Sequence, residues 1–201
     1  MKHRKRLGSF SFRAAWGTPA FYFLTAVFLC GAAAGSLTGL RSASVQGALV
    51  EELANAVLAA GEGTAWGVLL RDSLAPALFW PLVMLACGGF RLHSLFLSAA
   101  VATRGFLFAF AVGAMLGARG TAGIALSAAS CAAGGVLTLP CLLLTAAIAF
   151  QAALERPTRS GGYLYALGRY RGALLTVLLL SLLGGGVRVL AMLLMHRYGA
   201  L

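Results

Sequence analysis

The stretch LHSLFLSAAVATRGFLFAFAVGAMLGA, residues 92–118, decides the fold. It is apolar except for His93, a few hydroxyl groups and one guanidinium, Arg104, which Gly105 follows directly. A helix needs about 20 apolar residues to cross hydrocarbon, so the stretch reads as a membrane span. A charge at its middle costs about 2.5–3.5 kcal/mol on insertion scales, and such residues mark a bundle interior, a pathway or an interface.

Working outward, residues 19–40 form a first span and residues 73–90 a shorter second one. Arg91-Leu92-His93 joins the second to the opening stretch, and Ala118-Arg119-Gly120 makes a second tight turn. Residues 121–151 are too many for one straight helix across about 30 Å of hydrocarbon. They contain Gly134-Gly135 and Pro140, which are kink or break signals. The expectation is a first piece near 121–133, with a re-entrant path left open, and a spanning piece near 135–154. Residues 172–195 make the last span and carry Gly184-Gly185-Gly186 and Arg188. The expected fold is an all-α integral membrane protein with about five transmembrane helices, the fourth element broken or bent.

Composition agrees. Of 201 residues 60% are hydrophobic and only 10% charged, with mean hydropathy +0.89; a soluble domain is about 25% charged. The net charge is +11, yet the positives lie at the ends of apolar runs, which is a topological pattern rather than a nucleic-acid surface. On one side fall Lys2, Arg4, Lys5, Arg6, Arg13, Arg91, Arg156, Arg159, Arg169 and Arg171; on the other Arg41, Arg71, Arg119, Arg188 and Arg197. With Arg104 set aside, this bias puts the N-terminus in the cytoplasm and the C-terminus outside. The chain divides into a basic cytoplasmic tail (1–18) and one polytopic membrane domain (19–201) with an outer loop at 41–72. In that loop Leu49, Val50, Leu53, Val57 and Leu58 share a helical face; this is either a solvated cap or a partner contact. The basic start followed by an apolar run from Pro19 mimics a signal peptide, but the run is longer than an ordinary h-region and more spans follow, so an uncleaved first helix is expected.

Gly31, Gly35 and Gly39 stand four apart, as do Gly113 and Gly117. Such faces let helices approach closely, for internal packing or for assembly with other chains. His3, His93 and His196 lie at or beyond span ends, and all five acids fall outside the spans. No zinc helix or phosphate-cradling loop of the Walker type is present, and no embedded base stands ready to activate a hydroxyl. Cys30, Cys87, Cys131 and Cys141 lie in apolar segments without metal spacing. The expectation is no enzyme, no cofactor, no metal, no nucleic acid and no small-molecule substrate. For Arg104 two placements compete. Either it lies deep in the third span and faces the bundle interior, or residues 92–103 form an elbow along the cytoplasmic surface and the span proper is 105–118. The elbow costs less, because Arg snorkels to headgroups; Arg104-Gly105 is then a hinge.

The order of these features resembles stage II sporulation protein M, over about residues 21–194. The matching features are the aromatic start Phe21-Tyr22-Phe23 with Gly31 and Gly35, Arg104-Gly105-Phe106 in the third run, Pro140 in the fourth, and Gly168-Arg169-Tyr170 before the last. One departure is the stretch before Pro140, where the polar pair and acid of many relatives are absent. The resemblance implies a non-enzymatic scaffold in the cell membrane, at the sporulation septum or the engulfing membrane. Its partners would be stage II sporulation proteins D and P, which degrade septal peptidoglycan. The other reading is a permease-like transporter or channel subunit. It rests on Arg104 and the broken fourth element, and it expects a polar cavity converging on Arg104 near the midplane.

Overall fold

Long runs of Ala, Leu, Phe and Val offer their backbone no polar partner, so each run satisfies its own N–H and C=O groups as a helix. The computed structural model describes residues 17–42, 66–120, 123–124, 127–155 and 162–197. Among these the chain is all helical, with no strand: α1 (Pro19–Ser42), α2 (Trp66–Gly89), α3 (His93–Arg119), α4 (Ala133–Leu154), α5 (Gly162–Gly168) and α6 (Arg171–Arg197). The helices α1, α3, α4 and α6 are long and apolar enough to cross a bilayer, and α2 holds a shorter apolar helix, Ser73–Gly89. These helices are compatible with a multi-pass membrane protein. Large apolar side chains such as Tyr22, Leu29, Phe79, Leu82, Leu179 and Leu183 are exposed, which suits a surface solvated by lipid.

The centre is α4. Every residue from 141 to 149 is buried, and its Cys141, Leu142, Leu144 and Ala146 share a core with Leu24, Phe28, Met84, Leu97 and Val101. Both α2 and α6 pack against α4 and against each other, while α1 and α3 form the most extensive pair. In that pair Gly31, Gly35 and Gly39 sit against the backbone of Ala102, Phe106 and Phe110. Both sets rise by four, so α1 and α3 run parallel, and α2 must carry the chain back between them. Gly134 of α4 meets Gly184 and Arg188 of α6, while Ile148 and Ala152 pack with Tyr170 and Leu174; α4 and α6 are therefore antiparallel. We call the end holding Pro19, Gly89, His93, Leu154 and Arg171 the near end, and the opposite one the far end.

Three expectations change. First, α3 is one helix from His93 to Arg119, without an elbow at Arg104-Gly105. Its first half is not a surface helix, because Leu97 and Val101 are fully buried in the core. Helical Gly105 costs about 1 kcal/mol against Ala, and close packing on α1 offsets it. Second, Gly134-Gly135 does not break the fourth element, since both lie inside α4. The irregularity is upstream, in a π-helical turn, Ala128–Ala132, that runs straight into α4. Third, residues 66–72, assigned to the outer loop, are the first turns of α2. The amphipathic face at 49–58 and residues 1–16 of the basic tail lie outside the described residues.

Candidate functional site

Arg104 and Gly105 are successive on α3 and serve opposite faces of it. A Cβ at Gly105 would run into the Phe28 carbonyl of α1, and one at Gly113 would come within 2.9 Å of the Ser36 carbonyl. Gly31, Gly35 and Gly39 complete this seam from the other side. It is internal packing, so these five glycines are consumed within the chain. Gly117 does not join them; it is exposed.

On its other face α3 borders a cavity of about 210 Å³ between α2, α3, α4 and α6. Arg104, Leu107 and Phe108 line it from α3, Ser73 from α2, Gly134 and Thr138 from α4, Gly184 and Arg188 from α6. Two guanidinium groups thus share one cavity. The Arg104 guanidinium lies over the Trp80 ring of α2, 5.4 Å from its centroid, a cation–π contact worth about 0.5–2 kcal/mol. Arg188 is held lower down its stem. A Cβ at Gly134 would come 2.9 Å from Arg188 Cβ, and one at Gly184 would come 2.8 Å from Thr138 Cγ2. The glycines therefore let α4 and α6 close beneath the arginine. Arg188 Nε is shut off from solvent and has no hydrogen-bond partner among the described residues. The Thr138 hydroxyl donates to the Gly134 carbonyl at 3.0 Å.

No carboxylate among the described side chains meets either arginine. The one ion pair there is Arg169–Glu155, 3.2 Å, at the near end. Tyr170 donates to the same carboxylate at 2.8 Å. Burial, then this hydrogen bond, pushes its phenol up to about 12. Glu155 ends α4 and Tyr170 precedes α6, so the pair with Arg169 is a joint; Gly168 beside it is exposed and borders open space.

The prolines leave their own mark. A helical proline removes the hydrogen bond to the carbonyl four residues back. Pro81 lies inside α2 and so frees the Ala77 carbonyl; the buried Ser181 hydroxyl of α6 donates to it at 2.6 Å. Pro140 similarly sits inside a continuous α4, where it frees the Val136 carbonyl. A larger cavity of about 550 Å³ at the near end is lined mainly by apolar groups of α2 and α5, among them Leu85, Ala86 and Leu167. Among the described residues no three His, Cys, Asp or Glu side chains gather as a metal site.

The charge pattern alone assigns Arg188 to the outer side and gives Trp80 no role. The available signal for Arg188 was its spacing: Gly184 and Arg188 are four apart, so a small and a charged residue share one face of α6. That α4 would present Gly134 opposite them was not legible. Comparison with known protein families, curated proteins and solved structures gives no match.

Proposed function

We propose that the chain is a non-enzymatic scaffold of the cell membrane, of the kind that the resemblance to stage II sporulation protein M implies. In this reading it crosses the bilayer five times, near end in the cytoplasm, and holds peptidoglycan-degrading partners of the D and P type at the septum. The fifth crossing is supported by the parallel pairing of α1 and α3, which leaves α2 to return the chain. The cytoplasmic near end is supported by the excess of Lys and Arg assigned to that side. The observation that carries the scaffold reading is the use made of the residues that bear the resemblance. Gly31, Gly35 and Gly105 seam α1 to α3, and Arg169 joins α4 to α6 through Glu155; these are joints of a frame. The test is deletion of the gene in its spore-forming host, with purification of the tagged chain from membranes. Blocked engulfment and co-purified D- and P-type proteins are expected; normal engulfment removes the reading.

A second reading, a permease-like subunit, is favoured by the cavity. By a rise of about 1.5 Å per residue, Arg104 lies about 16 Å along α3, deep in a helix about 40 Å long, and it faces a partly polar space between four helices. Flux of candidate solutes in proteoliposomes, compared with Arg104→Gln, tests it.

A further inference from the structure

We propose that the cavity between α2, α3, α4 and α6 is a binding site for one phosphate-type anion, held between Arg104 and Arg188. Four observations converge there. Two guanidinium groups line one space within the apolar bundle. Each is positioned without an anionic partner among the described side chains, Arg104 by the Trp80 face and Arg188 by the close glycines. Arg188 Nε is buried and has no acceptor among the described residues. Buried donors are ordinarily satisfied, so a charged one unpaired among the described residues points to an acceptor that those residues do not supply. The space has the right scale. At about 30 Å³ of liquid per water, 210 Å³ holds several waters or one small oxyanion with part of its hydration; it lies below the size of pockets for drug-sized ligands.

Charge decides the sign of the ligand. Two like charges sharing one cavity at low dielectric repel, and each also bears the cost of leaving water. A monoanion between them relieves both terms. Guanidinium forks match the oxygens of phosphate in pairs, which a halide cannot use. Ser73 on the wall adds a hydroxyl group of the neutral kind that completes such sites. The phosphate has two sources, the headgroup of an anionic lipid entering between helices or free phosphate from the aqueous side. The site stands whether the chain is a scaffold or a permease, because it requires binding and not passage.

The experiment uses the full chain in maltoside micelles, which carry no phosphate. Thermal unfolding is followed during titration with inorganic phosphate, in parallel with phosphatidylglycerol, and each is matched by sodium chloride or phosphatidylcholine. A saturable rise in melting temperature with one ligand beyond its control is expected. Half-saturation should weaken by about tenfold or more in Arg104→Gln and in Arg188→Gln, the scale for a lost charged hydrogen bond. A response to inorganic phosphate names a free anion; a response to phosphatidylglycerol alone, with that lipid retained on purification, names a headgroup. If either glutamine variant does not fold, Arg104→Lys and Arg188→Lys keep the charge but lose the fork, and an intermediate weakening is expected. No rise beyond the controls in the wild-type chain overturns the proposal. So does an undiminished rise in the folded double glutamine variant.

Discussion

The two faces of α3 set opposite problems to the same helix. Toward α1 the residues are Gly105 and Gly113, and the contact is backbone on backbone, with no room for a Cβ. Toward α4 and α6 the residues are Arg104, Leu107 and Phe108, and the contact opens into a cavity. One face carries dispersion and close approach, the other charge and space. In lipid, where apolar burial gives little net drive between helices, small-residue contact is what makes association favourable. A bundle with one such dry seam tolerates elsewhere two charges that no described carboxylate meets, and stability is commonly yielded where function needs it.

This contrast is open to test. The largest effect is expected at the seam. Gly35→Leu forces backbones apart and should destabilise by about 3 kcal/mol or more, the upper range for overpacking. Gly117→Leu, on an exposed position of the same helix, should change little; equal losses on unfolding in mixed micelles would dissolve the distinction. Next is the clamp beside the cavity. Ser181→Ala orphans the carbonyl that Pro81 leaves free, at a cost of about 1–2 kcal/mol. Pairing it with Pro81→Ala, which restores the helical N–H, should recover most of the loss in a double-mutant cycle.

At the cavity the sign reverses. Arg104→Met removes a charge costing about 2.5–3.5 kcal/mol in lipid and gives up a Trp80 contact of about 0.5–2 kcal/mol. In ligand-free micelles it should stabilise by about 1 kcal/mol; a clear destabilisation would make Arg104 a structural post like the glycines.

The smallest effects belong to the near-end joint. Arg169→Gln should cost about 0.5 kcal/mol or less, because the ion pair is exposed. Tyr170→Phe separates the hydrogen bond from the ring. The phenol is raised in the folded chain to about 12, from about 10. Its contribution is therefore complete below about pH 10 and is lost as pH climbs through 12. The stability gap between wild type and Tyr170→Phe should stay constant to about pH 10 and close above it; a gap that ignores pH would remove the Tyr170–Glu155 bond from the account.

Legibility followed the range of the physics. Helix positions were readable because hydropathy and length act locally: residues 19–40 became α1, 172–195 lie within α6 and the turn at Arg91-Leu92-His93 precedes α3. Gly31, Gly35 and Gly39 were readable as a close-approach face because spacing by four is a property of one helix. Arg104-Gly105 was misread as a hinge. Single-chain costs favour an elbow, whereas burial of Leu97 and Val101 holds α3 straight. Gly134-Gly135 looked like a break for the same reason; its smallness serves contact with Arg188 and Phe108 rather than bending.

The sequence alone therefore determined an all-helical chain with apolar runs long enough for a bilayer, the faces poor in side-chain volume, and the presence of two arginines within apolar stretches. Those follow from hydropathy, periodicity and spacing, which need no partner helix. Only the tertiary structure decided that α1 and α3 run parallel, that Ser181 answers Pro81, and that Arg104 and Arg188 meet in one cavity without a carboxylate among the described side chains. Each of those depends on which helix stands opposite which. Residues 84 apart meet only when four helices close around the same space.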